Sequence, residues 1–227
     1  MRPVSTDGAA TVASPSEVAE GARPPRGKRI IDLLGAGSLL VLLSLLFAVV
    51  ALLIRFSSRG DVLFRQERVG WRGKAFTLLK FRTMVPNHDD SALRDIVSSE
   101  LAGVRSAEDG SYKLAGDPRV TRLGAWLRRT SIDELPQLIN VLRGEMSLVG
   151  PRPALCWEHE LFRSEYSRRI DVLPGITGLW QVSGRSGLTT RQMLQLDVEY
   201  VDSRSLRLDL KILIRTLPAV VRGDGAR

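Results

Sequence analysis

From Leu33 to Ile54 the chain runs for 22 residues without a charge. As a helix rising about 1.5 Å per residue, this stretch is about 33 Å long, close to the roughly 30 Å hydrocarbon core of a bilayer. A signal peptide has a shorter apolar region followed by a small-residue cleavage site, and no such site follows here. The pattern predicts a membrane helix over 28–56. Beyond it the period drops to two. "DVLFRQERVG" and "KAFTLLKFRTM" alternate around a turn at "GWRGK", predicting a β-hairpin in which Phe76, Leu78, Lys80 and Arg82 share one face. Longer windows predict helices near 119–129, 134–143, 153–170 and 189–200. The closing "SLRLDLKILIRTLPAVVRG" carries an apolar stripe interrupted by Arg207, Lys211 and Arg215, which suits a membrane surface or the core equally.

Two stretches lack a pattern. Residues 1–27 are rich in Ala, Ser, Pro and Gly with few bulky apolar side chains, so they bury too little to offset chain entropy and are expected to be a disordered tail. Residues 87–119 are polar and punctuated by Gly103, Gly110 and Gly116, the mark of a mobile loop with room for one short helix. The fold class expected is mixed α/β, mainly helical with a small β-hairpin or sheet. The membrane helix precedes a single catalytic-sized domain over 57–227.

Topology turns on the flanking charges. Arg23, Arg26, Lys28 and Arg29 precede the apolar run, and Arg55, Arg59, Arg65 and Arg68 follow it. Positive flanks mark the cytoplasmic side, and both ends qualify: a helix that enters and returns on one face satisfies both, and on charge alone a plain single span is about as well supported. Ser44 and the small residues of "GAGS" could aid a bend.

The chain has 33 Lys plus Arg against 25 Asp plus Glu, a net charge of +8. Five basic and four acidic residues lie before residue 55, so most of the excess belongs to the downstream domain and suits phosphate-rich partners. A non-enzymatic, membrane-anchored binder of nucleic acid or anionic lipid is the competing class. Its support is thin, because the basic residues are interspersed with acids and aromatics make up only 6%, leaving few stacking platforms. The single Cys156 cannot form an internal disulfide. With only His88 and His159 and no CxxC or HExxH, a zinc site is not expected.

The chemistry concentrates in "TSIDELPQL", which places Asp133 beside Glu134 three positions before Pro136. Ser131 and Glu134 have the spacing of a helix capping box. Pro136, however, is tolerated only in a first helical turn, which moves the helix start to about Asp133. A carboxylate there stays ionised at the positive end of a helix, where phosphates also bind. It can act as a nucleophile toward phosphorus, while Glu134 offers oxygen to a divalent cation such as Mg²⁺. Arg128 lies five residues before Asp133, and Arg152 is held between Pro151 and Pro153; each could equally be an ordinary surface ion pair. "LPGITGLWQVSGRSG" adds a glycine-punctuated loop ending in Arg185. Neither GxxxxGK[ST] nor GxGxxG occurs, so the familiar nucleotide-binding loops are absent.

In order, "KFRTM", "DPRVTRLGAWLRRTSIDELPQLINVLRGEMSLVGPRP", "PGITGLWQVSGR", "LDVEYV" and "LRLDLKI" resemble the bacterial sugar transferase family, the monotopic polyprenyl-phosphate sugar-1-phosphate transferases, from about Lys28 to Val221. The resemblance implies transfer of a sugar 1-phosphate from a UDP-sugar to polyprenyl (undecaprenyl) phosphate with release of UMP, at the start of exopolysaccharide, O-antigen or capsule assembly. It implies that Asp133 is the nucleophile that forms a phosphosugar-aspartyl intermediate and that Glu134 is the acid associated with Mg²⁺. Lys80, Arg82, Arg128, Arg152 and Arg185 match basic residues of the family motifs, and Asp197 and Asp209 match recurring acids that could be structural. It also implies a bacterial inner-membrane enzyme with its catalytic domain facing the cytoplasm, with membrane lipid as a partner and no nucleic acid; a homo-oligomer stays open. The sugar is not specified by these motifs. In related short members a proline follows the membrane serine, whereas Leu45 follows Ser44 here, so any bend has to come from elsewhere.

Overall fold

The computed structural model describes residues 25–85, 91–101, 119–162, 164–184 and 187–221. The expected tail, apart from its last residues, most of the expected 87–119 loop, and Arg185 lie outside the described residues.

The apolar run is two helices, not one. α1 (Arg26–Leu42) and α2 (Ser44–Ser57) meet at Leu43, whose backbone leaves the helical region at φ −95°, ψ 8°, and their axes bend by 62°. No single described helix is long and apolar enough to cross a membrane, although the bent pair meets that criterion together. The bend needs no proline because each arm packs on a different cluster. Ala36 of α1 is buried with Leu78, Leu138, Val141 and Leu148, with Leu40 against them. Val50 and Ile54 of α2 are buried with Phe81 and Leu127, and Phe47 tilts against Phe81 at 5.3 Å between ring centroids.

The polar residues of α1 face the domain. Lys28 Nζ donates to Asp209 Oδ2 (2.6 Å) and to the Val149 carbonyl (2.9 Å). Arg29 donates to the carbonyls of Val141 (2.7 Å) and Leu142 (3.1 Å), satisfying acceptors that a helix C-terminus leaves open. Buried Asp32 accepts from the Ser147 hydroxyl and the Leu148 amide, both at 3.0 Å. Lys28 and Arg29, which read as topological flanks in the sequence, are internal fasteners.

The expected hairpin forms. β1 (Leu63–Val69) and β2 (Ala75–Phe81) are antiparallel, with Leu63 opposite Phe81 and Val69 opposite Ala75. The connection places Arg72 at φ 56°. α3 (Ser91–Leu101) supplies the short helix anticipated in the polar stretch, with Val97 buried against Phe162 and Leu194. α4 (Arg122–Arg129) is capped by Thr121, whose side chain accepts from the Gly124 amide. α5 (Gln137–Arg143) ends at Gly144 in the left-handed region. β3 (Ser147–Val149) pairs in parallel with β4 (Gly175–Thr177).

The expected helix over 153–170 is instead α6 (Cys156–Phe162) followed by a 3-10 turn at Ser167–Asp171. A turn at Ser164 and Glu165 lies between them, and serine favours turns over a helix interior. α7 (Leu179–Ser183) and α8 (Thr190–Ser203) follow, α8 with a full Thr189/Gln192 capping box. α9 (Leu206–Val221) packs one face on the domain and leaves another uncovered. Asp209 and Ile212 are buried against the domain, while Leu206, Leu210, Ile214 and Leu217 are exposed.

Candidate active site

The acid pair is positioned by a strained turn. Ser131 adopts φ 55°, ψ 16°, the left-handed region that a residue with a Cβ rarely occupies, and it makes no side-chain cap bond. The capping-box alternative therefore does not hold. Ile132–Glu134 form a 3-10 turn, and α5 starts only at Gln137, with Pro136 as its N-cap. The helix starts later than expected because Pro136 has no amide hydrogen and its ring excludes a preceding helical turn. Strain of this kind costs on the order of 1–3 kcal/mol and concentrates at functional sites.

Both sides of the turn are anchored. Ile132 packs into the cluster of Val50, Ile54, Phe81 and Leu127. Asn140, fully buried on α5, accepts from the Leu79 amide (3.1 Å) and donates to the Thr77 carbonyl (2.8 Å). It continues the ladder along the edge of β2 and fixes the register of α5 on the strand. Lys80, between these two contacts' residues and the strand end, donates to Glu134 Oε1 at 2.9 Å. Asp133 keeps only 8% of its surface exposed.

Glu134 and Lys80 line a small hollow open to solvent, whose lining also includes Arg68, Gln137, Arg152 and Gln181. Three cations and two amides thus converge with a carboxylate, a donor set suited to a diphosphate. The glycines of the "PGITG" loop serve a different neighbour. A Cβ on Gly175 would lie 2.0 Å from the Gly150 amide nitrogen, and one on Gly178 would lie 2.5 Å from the Gly150 carbonyl oxygen, so the close approach is between two backbone segments of this chain.

Arg128, Arg82, Asp209 and Asp197 are not in the lining of this hollow. Arg128 Nε donates to Thr83 Oγ1 at 2.9 Å. Arg82 donates to the Ser58 carbonyl (2.8 Å) and hydroxyl (3.0 Å), at the junction of α2 with the domain. Asp209 is held by Lys28 and accepts from the Tyr200 hydroxyl at 2.7 Å; burial, with Asp209 beside it, pushes the Tyr200 hydroxyl's pKa strongly up. Asp197 is buried against Arg169 at 2.7 Å. Burial raises its pKa to about 6, opposed by the charges of Arg169 and Arg152.

Sequence reasoning named Arg68 only as a flank of the apolar run and did not single out Gln137, Gln181 or Arg169. One signal was present for Arg68, a charge on the inward side of an alternating strand. Among the described residues no group of three or more His, Cys, Asp or Glu side chains could hold a metal ion by itself.

Glu134 and the three cations that line one hollow suit a phosphate-bearing ligand. Comparison with known proteins gives the chain a family: the bacterial sugar transferase model matches residues 24–223. An exopolysaccharide production protein, ExoY, of Sinorhizobium fredii is 43% identical over 199 residues, covering 88% of this chain and 87% of its own. A UDP-glucose:undecaprenyl-phosphate glucose-1-phosphate transferase of Caulobacter vibrioides is 42% identical over 88% of this chain and 71% of its own. A UDP-galactose-lipid carrier transferase of Erwinia amylovora is 44% identical over 88% of this chain and 41% of its own. The chain belongs to the bacterial sugar transferase family and is a phosphoglycosyl transferase.

Proposed function

We propose that this chain transfers a sugar 1-phosphate from a UDP-sugar to undecaprenyl phosphate, and so starts assembly of an exopolysaccharide or related surface glycan. The observation that carries this reading is the buried Asp133 next to Glu134, on a strained turn beside a hollow shared by Lys80 and Arg152. In the first step an Asp133 carboxylate oxygen attacks the β-phosphorus. The bond from that phosphorus to the bridging oxygen breaks, and UMP leaves with the oxygen and its electron pair. In the second step a phosphate oxygen of the lipid attacks the same phosphorus, forming the diphosphate and returning Asp133 as a carboxylate. Lys80 and Arg152 oppose the charge on the transferring group.

A divalent cation fits this donor set. Mg²⁺ is ordinarily held by one or two carboxylates together with substrate phosphates, and Glu134 would supply that carboxylate. When bound, the ion supplies neutralisation of diphosphate charge.

The reading also accounts for the outer surface of the bent pair. Leu34, Val41, Leu42, Leu45 and Phe56 are all exposed, Phe56 at 84%, and an apolar face of this extent suits lipid more than water. With Lys28 and Arg29 fastened to the same domain that α2 enters, both arms start from one side. This favours a re-entrant segment in the cytoplasmic leaflet of the bacterial inner membrane. The exposed residues of α9 would extend that face.

UDP-glucose and UDP-galactose are the donors to test first, since the relatives' names carry these sugars. With detergent-solubilised protein and undecaprenyl phosphate, Asp133→Asn is expected to lower UMP release by at least about a thousandfold. Protein mixed with donor alone is expected to carry a phosphosugar adduct on Asp133 by mass spectrometry. Turnover retained in the Asn variant would exclude the nucleophile assignment.

A further inference from the structure

Arg152 is placed in the hollow by a turn that cannot staple itself. Pro151 and Pro153 flank it, and neither has an amide hydrogen to donate, so the turn must be held through its carbonyls. The rest of the chain supplies the donors. Lys28 Nζ donates to Val149 O (2.9 Å), the Gly175 amide to Pro151 O (2.8 Å) and the Val69 amide to Ala154 O (2.9 Å). The two carbonyls in between are taken by buried guanidinium groups. Arg169 Nη2 donates to Arg152 O at 2.9 Å, and Arg68 Nη1 to Pro153 O at 3.1 Å.

Each of these arginines has a buried carboxylate beside it. Arg169 donates through Nε to Asp197 Oδ2 (2.9 Å), with Nη2 at 2.7 Å from the same oxygen. Arg68 Nη1 lies 3.8 Å from Glu158 Oε2, which also accepts from the Leu155 amide at 2.7 Å. Buried ion pairs contribute little net stability and are better explained by the geometry they specify. Here two of them act on successive carbonyls of one turn. A guanidinium fork serves a carboxylate and a carbonyl at once, which a single ammonium does less well.

We propose that Arg169 with Asp197, and Arg68 with Glu158, are positioning residues that clamp the Arg152 turn from behind, so that the Arg152 guanidinium faces the diphosphate of the donor. The inference rests on the reading of the hollow as a sugar-nucleotide site. Arg169 is the cleaner member to test, because it is not part of the lining of that hollow, whereas Arg68 is.

The experiment is a double-mutant cycle on the full chain in detergent, combining Arg169→Lys with Arg152→Ala. The readouts are the UDP dissociation constant, the donor KM and kcat, and the melting temperature. Arg169→Lys keeps a cation for Asp197 but removes the fork. Alone, it is expected to weaken UDP binding and raise donor KM by roughly tenfold with a smaller change in kcat; in the Arg152→Ala background it is expected to change them by less than about twofold. Equal factors in the two backgrounds, or no effect of Arg169→Lys, would overturn the clamp. So would unchanged UDP binding in Arg152→Ala. If Arg169→Lys does not fold, Asp197→Asn enters the same cycle with the same expectation. A wild-type chain that binds UDP but releases no UMP from either donor refutes the reaction proposed above, while the cycle read in UDP dissociation constants still decides the clamp. If the wild type binds no UDP, the clamp has nothing to serve and falls too.

Discussion

Two ion pairs of similar length lie on opposite sides of the "GPRP" turn and differ in what water can reach. Lys80 and Glu134 meet at 2.9 Å with 21% and 26% of their side chains exposed. Arg169 and Asp197 meet at 2.7 Å with 10% and 2% exposed. In the sequence Glu134 reads as the acid associated with Mg²⁺, Lys80 as a basic residue of the family motifs, and Asp197 as a recurring acid that could be structural. In the fold the first pair opens onto the hollow, where a ligand can compete for it, and the second is sealed against the back of the turn. The exposed pair gains little from its own attraction, since screening leaves such pairs roughly 0–1 kcal/mol, so its charges remain available for substrate. The buried pair holds its geometry because neither partner can exchange it for water.

The sharpest way to break this comparison is to remove one acid from each side. Asp197→Ala leaves Arg169 buried without its carboxylate and is expected to cost about 3–5 kcal/mol, read as a large fall in melting temperature. Glu134→Gln is expected to change stability by less than about 1 kcal/mol while strongly reducing turnover. Equal losses of stability would erase the distinction between the two sides.

Lys80→Ala carries the comparison to binding. Loss of a charge-assisted contact to phosphate, worth about 1.5–3 kcal/mol, is expected to raise donor KM by roughly tenfold or more, measured as UMP release. Its melting temperature should move far less than that of Asp197→Ala.

The smallest effect is in pH. Burial raises the Asp197 carboxyl from 3.8 to about 6, so the folded state binds this proton more readily than the unfolded chain does. The resulting stabilisation is fully present below 3.8 and is lost as pH rises through about 6. Wild type should therefore gain melting temperature relative to Asp197→Asn as pH is lowered from about 7 to 5. A constant gap between them would show that Asp197 does not titrate in that window.

Much of the local structure was legible beforehand. Alternation around "GWRGK" located the hairpin, whereas Pro136 pointed to a helix start near Asp133 and the acids lie on a 3-10 turn before a helix that begins at Gln137. The uncharged run over 33–54 marked the apolar segment, with Ser44 or "GAGS" as places for a bend; the break falls at Leu43, next to Ser44. That break follows from two separate core clusters taking one arm each, which no repeat within the run encodes. Likewise Arg82 shares the strand's alternation with Lys80, yet it turns to Ser58 just past the strand end.

By itself the amino-acid order determined what acts over a few residues: the strand period, the proline that delays a helix, the adjacency of Asp133 and Glu134, and an apolar length matched to lipid. Tertiary structure alone decided which charges would meet. Lys28 finds Asp209 across 181 positions, and Arg169 finds Asp197 across 28. A charge has no period to read. Its partner is set by where packed helices bring side chains out of water, and the low-dielectric interior then makes that pairing obligatory.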